Sequence, residues 1–291
     1  MFLSDKWKDY ELIDASGAEK LERWGGIVLR RPDPQIVWEV DEKEKSRLWK
    51  EADARYIRSN TGGGHWESRK RGIPESWTVD YGKLTFGIKM MGFKHTGIFP
   101  EQAANWDWFG DIIRNSGREN VNVLNLFAYT GGATMAASAA GAAVCHVDAS
   151  RGMVNWAKEN ARLSGLEERP IRFIVDDVKK FTEREIRRGR KYDAVIMDPP
   201  SYGRGPSGEV WKIEEELFGL VKLCMGVLSD NPLFFLINSY TTGLSGSVLE
   251  NIYKLTLKKR FGGEISVDEV GLPITNGNLV LPCGYSGRWK R

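Results

Sequence analysis

The chain has 291 residues, 28% of them charged and 11% aromatic, with a formal charge of +3 at neutral pH. That length suits one large domain, or a large one beside a small one, with enough chain for a real core. So mild a charge rules out bulk electrostatics as an argument for a nucleic-acid partner. Cys145, Cys224 and Cys283 are widely spaced with no C-x-x-C pair. They support neither a disulfide framework nor a zinc site, no metal is implied, and a reducing cytoplasm fits. Met1-Phe2-Leu3-Ser4-Asp5-Lys6 lacks the apolar core of a signal peptide. Residues 121–145 carry no charge, but their Ala, Gly, Ser, Thr and Asn content and the Gly131-Gly132 break suit a buried strand, turn and helix better than a membrane span. A soluble protein without membrane contact is expected.

Eight of the eleven Trp precede position 110, which sets the first third apart from the Ala- and Gly-rich middle. Residues 1–94 read as a small, β-rich N-terminal domain. Tyr10 to Ile13, Gly26 to Arg30 and Gln35 to Glu39 have strand-like content, with Pro32-Asp33-Pro34 as a turn. Asp41 to Arg58 is charge-rich and helical in composition. Thr61-Gly62-Gly63-Gly64 is a loop, and Trp77 to Met90 suggests a hairpin around Tyr81-Gly82. The basic runs Arg30-Arg31 and Arg69-Lys70-Arg71 read as solvated faces, with nearby Trp66 and Trp77 the one hint of base stacking.

Residues 95–291 read as a second domain, α/β in class. From Asn120 strands and helices alternate, the sign of a parallel sheet. Strands are expected at Val121–Phe127, Ala143–Val147, Ile171–Val175, Tyr192–Met197 and Leu233–Asn238. Helices are expected at Arg151–Ser164, Lys179–Arg188, Ile213–Leu228 and Ser247–Lys259. Glu264–Val270 and Asn278–Leu281, joined around Asn276-Gly277, form an expected hairpin that would leave one antiparallel strand near the C-terminus.

Four constellations fall at strand ends. In Asn125-Leu126-Phe127-Ala128-Tyr129-Thr130-Gly131-Gly132, a turn of small residues leads into the small-residue helix start Ala133, Thr134, Ala136, Ala137. Such a turn lets a nucleotide-type cofactor approach the backbone. Helix–sheet packing alone can demand the same residues. The pattern lacks the G-x-G-x-x-G of pyrophosphate-binding loops, which a cofactor without a pyrophosphate does not need. Asn125, Phe127, Ala128, Tyr129, Thr130 and Gly131 are the candidate cofactor contacts there. Asp148 ends the next strand about twenty residues on, a spacing that suits a carboxylate accepting from both ribose hydroxyls. It could instead cap the helix near Arg151, but Ser150 serves equally well as that cap. In Asp176-Asp177, one acid can accept from an adenine amino group while the other caps the Lys179 helix, and Asp177 is assigned to the adenine. Asp148, Ser150, Asp176 and Asp177 are counted with the cofactor positions.

The fourth constellation is Asp198-Pro199-Pro200-Ser201-Tyr202, which stops the apolar run Val195-Ile196-Met197. Proline cannot donate to a ladder, and open α/β sheets place their chemistry at the carboxyl ends of their strands. Asp198, with the Pro199 carbonyl, is expected to accept hydrogen bonds from the acceptor, and Tyr202 to stack on it, beside Pro200.

In sequence order, Tyr129-Thr130-Gly131-Gly132, Asp148, Asp177 and Asp198-Pro199-Pro200 resemble the class I S-adenosylmethionine (SAM)-dependent methyltransferases. The chain is closer still to the bacterial 23S ribosomal-RNA large-subunit methyltransferases of cytosine-C5 and guanine-N7 type. The resemblance spans roughly residues 85 to 285 and includes His95-Thr96-Gly97-Ile98-Phe99-Pro100-Glu101-Gln102. It implies a Rossmann-like sheet, SAM as cofactor, an RNA (rRNA) partner, and Thr96, Phe99 and Gln102 lining the SAM site. Two departures matter. Cytosine-C5 members place a cysteine after the fifth strand, where this chain reads Ile237-Asn238-Ser239-Tyr240-Thr241-Thr242. Without that thiolate, a nitrogen target fits better. Nitrogen methyltransferases usually place the aromatic directly after the second Pro, where Ser201 stands here. The first 94 residues match no RNA-binding module of such enzymes. The expected function is therefore a SAM-dependent methyltransferase modifying a base of ribosomal or other structured RNA. The alternatives are a protein or small-molecule acceptor, a catalytically idle RNA-binding protein of the same fold, and an NAD-dependent oxidoreductase, which would need a pyrophosphate loop.

Overall fold

The computed structural model describes residues 1–59, 63–92, 94–204 and 210–291. Contacts divide the chain into two compact units. One comprises Leu3–Ala103 and Gly271–Cys283; the other comprises Met1–Phe2, Ala104–Val270 and Gly284–Arg291. No helix among the described residues is long and apolar enough to cross a membrane.

The first unit is strand-rich, as expected. Its five-stranded sheet runs in the order Tyr10–Ser16, Glu19–Trp24, Ile27–Pro32, Ala54–Arg58, Gly64–Ser68. All its pairings are antiparallel except that of Ile27–Pro32 with Ala54–Arg58. The expected hairpin is Ser76–Tyr81 with Leu84–Lys89, and Gly82 supplies a φ of +61° between them. Of the loop expected at 61–64, Thr61 and Gly62 lie outside the described residues, and Gly64 opens a strand.

Three expectations for this unit are corrected. Gln35–Glu39 is not a strand: the carbonyls of Ile36 and Trp38 instead accept from the backbone of Ala18 and Gly17 at a hairpin tip. Asp41–Arg58 is not a helix. Only Arg47–Trp49 forms a single 3₁₀ turn, and Ala54–Arg58 is a strand. The cause is buried acid. Asp14, fully buried, accepts from the Ser46 amide at 2.9 Å, the Trp49 indole at 2.8 Å and Asn276 at 3.0 Å. Asp53 accepts from the Val28 amide at 2.7 Å. These carboxylates hold the segment at both ends in a shape that a helix would break. Arg30-Arg31 is not a solvated face either. Arg31 is 5% exposed and meets both oxygens of fully buried Glu22, at 2.6 and 2.8 Å. Burial alone would raise the Glu22 carboxyl, but Arg31 and Lys20 outweigh it and hold the group down to about 2. The indoles of Trp66 and Trp77 donate to the carbonyls of Met91 and Trp24, so both are tied into the fold.

The second unit contains the alternating α/β pattern. Its strands are β1 (Asn122–Leu126), β2 (Ala143–Asp148), β3 (Ile171–Val175), β4 (Ala194–Met197), β5 (Phe234–Ser239), β6 (Glu264–Pro273) and β7 (Val280–Lys290). The sheet order is β3-β2-β1-β4-β5-β7-β6, with Phe2–Leu3 on the outer edge of β6. The strands from β3 to β5 are parallel, and β7 is antiparallel to β5. The expected reversed strand is therefore present, but it runs on to Lys290, because its inner end pairs with β5 and buries Trp289. Every residue of β4 and β5 is buried, which is why β4 and the first four residues of β5 read as apolar runs.

The helices are α1 (Ala103–Arg114), α2 (Gly132–Ala139), α3 (Arg151–Leu163), α4 (Val178–Arg187), α5 (Ile213–Cys224) and α6 (Gly246–Tyr253). α2 packs against β1 and β2, an approach that depends on small residues. A Cβ on Gly132 would stand 2.6 Å from the ring of Trp106, itself 5% exposed on α1. Gly132→Ala should therefore destabilise the protein by about 1–3 kcal/mol through overpacking, against a helix-propensity gain of about 1 kcal/mol. Urea denaturation measures it. An unchanged or higher midpoint would mean that Trp106 moves aside freely.

Candidate active site

Strand order and register assemble the site. β1 is flanked by β2 on one side and β4 on the other, so the crossovers reverse direction there, and open α/β sheets bind ligands at that point. Leu126, the last residue of β1, lies opposite Val147 on β2 and Met197 on β4. The next residue of each chain is Phe127, Asp148 and Asp198. Three residues far apart in sequence thus leave the sheet at one level. Asp148 in turn faces Val175, which brings Asp176 to the same edge.

The turn after β1 is strained. Phe127 and Tyr129 have φ of +54° and +52°, a region that bulky residues rarely enter, and Gly131 follows at +87°. What holds it is Asp148. One carboxylate oxygen accepts from the Tyr129 amide and the other from the Ser150 amide, both at 2.8 Å. Asn160 on α3 adds a bond to the Thr130 carbonyl at 2.8 Å. Gly131 is required twice over, by its φ and by Ala157, 3.0 Å from where a Cβ would sit. Burial pushes the Asp148 carboxyl up, against the two amides that stabilise its charge.

The expected roles shift in detail. The Asn125 side chain, 2% exposed, donates to Thr134, whose hydroxyl also meets His146 Nδ1, both at 2.9 Å. Asn125 therefore braces the start of α2 from inside. Burial alone pushes His146 down to about 3, so this chain of bonds is neutral. Ser150 caps α3 by accepting from Met153. Among the two acids, the expected division is corrected: Asp177 is the cap of α4, its Oδ1 accepting from Lys179 and Lys180 at 3.1 and 2.9 Å. Oδ1 takes both bonds because the cap geometry aims one oxygen at the exposed helix amides. Asp176 is ion-paired with Arg184 and accepts from the Asp177 amide.

On the β4 side, the Asp198 amide donates to the Leu126 carbonyl at 3.4 Å. Pro199 is buried, and Tyr202 is 52% exposed at the start of a short ribbon, Tyr202–Arg204 with Val210–Lys212. Ser201 meets the Thr241 hydroxyl at 2.6 Å. Thr96, Phe99 and Gln102 belong to the other compact unit. There Thr96 is fully buried, its Oγ1 with no hydrogen-bond partner among the described residues, Gln102 is buried, and the Phe99 ring lies 5.3 Å from that of His95.

Two residues of the site were not anticipated from sequence. Asn160 had a signal, since it shares the apolar face of α3 with Val154, Ala157 and Ala161. Trp211 had none; it lies in the ribbon before α5 and meets Phe127 of the turn.

The acceptors at these strand ends suit the hydroxyl and amino groups of a nucleoside. A half-buried carboxylate ends β2, a helix-capping acid follows β3, and a tight left-handed turn follows β1. Comparison with known proteins decides which family this is. The sequence profile of the S-adenosylmethionine-dependent methyltransferases matches residues 55–217, more than half of the chain. The chain belongs to that family. S-adenosylmethionine is its cofactor.

Other methyltransferases extend the likeness. A SAM-dependent methyltransferase from Agrobacterium tumefaciens, solved by crystallography, superposes with a TM-score of 0.92 at 35% identity, covering 99% of this chain and 92% of that one. SMU.776, crystallised with S-adenosylhomocysteine, shares the fold at a TM-score of 0.73 and 19% identity, over 99% of this chain and 76% of its own. A ribosomal RNA large subunit methyltransferase K/L from Shewanella frigidimarina is 31% identical over 216 residues, 72% of this chain. The match spans only about a quarter of that relative, 26% of its length. The expected kinship with ribosomal-RNA large-subunit methyltransferases and the Rossmann-like α/β class are both borne out.

If Asp148 holds the ribose, Asp148→Ala should weaken SAM binding at least tenfold, about 1.4 kcal/mol. Wild-type affinity should also decline on acidification, beginning above the ordinary aspartate range of about 3.9, because the charged form accepts and burial has raised its pKa. The variant should lack that dependence. Calorimetry across pH checks both, and equal affinities in a folded variant would remove the assignment.

Proposed function

We propose that this methyltransferase modifies a base nitrogen of ribosomal or other structured RNA, in the cytoplasm. The observation that carries the reading is the placement of Asp198-Pro199-Pro200. The loop leaves β4 at the switch point, level with Asp148 and Phe127. Within it Asp198 and the Pro199 carbonyl are acceptors suited to an N–H-bearing nucleophile, and exposed Tyr202 suits stacking on a base. The names of the K/L relatives support the RNA acceptor.

SAM, when bound, supplies an electrophilic methyl on a sulfonium. The protein's part is alignment and exclusion of water. Asp148 holds the ribose, Asp177 the adenine amino group, and the Thr130–Gly132 turn the methionine end. Asp198 orients the acceptor so that its nitrogen lone pair faces the methyl.

The thiols favour nitrogen over carbon. Burial pushes Cys145 up to about 11, Cys224 up to about 12, and Cys283 well above the ordinary range. A C5 mechanism needs a thiolate at neutral pH, and none of these is poised to be one. RNA containing 5-fluorocytosine should therefore form no covalent adduct with the protein, and each Cys→Ala variant should keep near-normal turnover. An adduct mapped to any of the three by mass spectrometry would restore C5 chemistry.

Asp198→Ala should lower turnover by about 10²-fold, the loss of one aligned polar group. SAM affinity should change less than about tenfold, since the acceptor contact is absent without acceptor. Asp198→Asn, which keeps an acceptor oxygen, should be milder. Parallel loss of SAM binding and activity would make Asp198 a cofactor or structural residue. Mass mapping of ribosomal RNA from cells with and without the gene tests the acceptor: no lost methyl group would refute rRNA as the substrate.

A further inference from the structure

The geometry points to Trp211 as a positioning residue that sets the acceptor loop against the cofactor turn. The inference rests on the site reading above and adds a residue to it. Trp211 touches the loops after β1 and β4 and lies beside the first turn of α4. Its ring meets that of Phe127, in the strained turn after β1, at 5.2 Å and a 55° tilt. Its indole N–H donates to the carbonyl of Pro200 at 2.6 Å. The ammonium of Lys179 lies 5.9 Å from the ring centre, and the amide of the same lysine donates to Asp177. Glu216 on α5 pairs with that ammonium and keeps it beside the indole.

Each contact has a physical reason to be specific. Phe127 is held in the left-handed region, so its ring direction is set by the backbone, and a flat partner is needed to cover it. The Pro200 carbonyl belongs to a segment whose φ angles are locked by two successive prolines. Fixing that carbonyl therefore orients Asp198, two residues upstream, far more firmly than it would in a flexible loop. The ribbon pairs Trp211 with Gly203, and even a Cβ there would lie 3.8 Å from both Pro200 and Trp211, so the indole sits close to the loop it bonds. An indole is the one side chain that offers a flat apolar face and an N–H donor together. A displacement of about 1 Å in a reacting group can cost 10²-fold in rate, so such a brace bears on turnover.

A purely structural role predicts a different pattern, and two variants separate them. Trp211→Phe keeps a ring on Phe127 and removes the N–H. Its kcat on RNA should fall about tenfold, with SAM affinity within threefold of wild type and the melting temperature little changed. Amide hydrogen exchange in the peptide covering 198–204 should quicken. Trp211→Ala removes both contacts, and SAM affinity should then weaken as well. Wild-type kcat and wild-type exchange in Trp211→Phe would overturn the inference. So would SAM affinity and melting temperature falling in step with kcat in that variant. If the wild-type protein methylates no RNA, the substrate reading fails separately. Exchange and SAM affinity then decide Trp211: faster exchange at unchanged affinity upholds the brace, and unchanged exchange refutes it.

Discussion

The site depends on one buried carboxylate gripping two backbone amides. Asp148 joins the turn after β1 to the loop after β2, one oxygen to each. Without those bonds the Phe127 and Tyr129 backbone would have little reason to remain in a region that L residues avoid. The bonds also position the carboxylate, because accepting along fixed N–H directions leaves its remaining lone pairs aimed outward. Burial raises its pKa and the amides oppose the rise. A carboxylate in that balance remains incompletely solvated, which suits it to accept from a sugar.

Around this grip the protein uses rigid, mostly neutral supports. The Asn125–Thr134–His146 chain lies beneath the turn, its histidine kept uncharged by burial. Asn160 holds the turn from α3. Gly132 lets Trp106 reach the start of α2. Strain in the turn is thus held in place by the unit's packing, as expected of a site that works by alignment.

The N-terminal unit solves its packing differently. Asp14 and Glu22, both fully buried, collect hydrogen bonds from segments that local preference would have sent elsewhere. Asp14 alone gathers the 3₁₀ turn at Ser46–Trp49 and the tip of the β6–β7 hairpin at Asn276. A charge-rich composition normally marks a solvated helix face. Here the same residues supply long-range partners, so composition misled at Asp41–Arg58 and at Arg30-Arg31.

The sequence by itself determined the class of the α/β unit, most of its strands and helices though neither α1 nor the length of β7, and the strand ends that carry acids. It could do so because buried parallel strands must be continuous apolar runs, and because Gly and Pro restrict their own backbone wherever they occur. The absence of a cysteine after β5 and the Asp198-Pro199-Pro200 stop were legible for the same local reason. Tertiary structure decided what local rules leave open. Whether Asp176 or Asp177 capped α4 depended on which backbone amides stood within reach. The length of β7 depended on its pairing with β5, and the path of residues 41–58 depended on Asp14, an acid far back in the chain. Trp211 entered the site only because an antiparallel ribbon turned it toward Phe127 and Pro200. Each of these is settled by a partner distant in sequence, and distance in sequence carries no information about distance in space until the chain has folded.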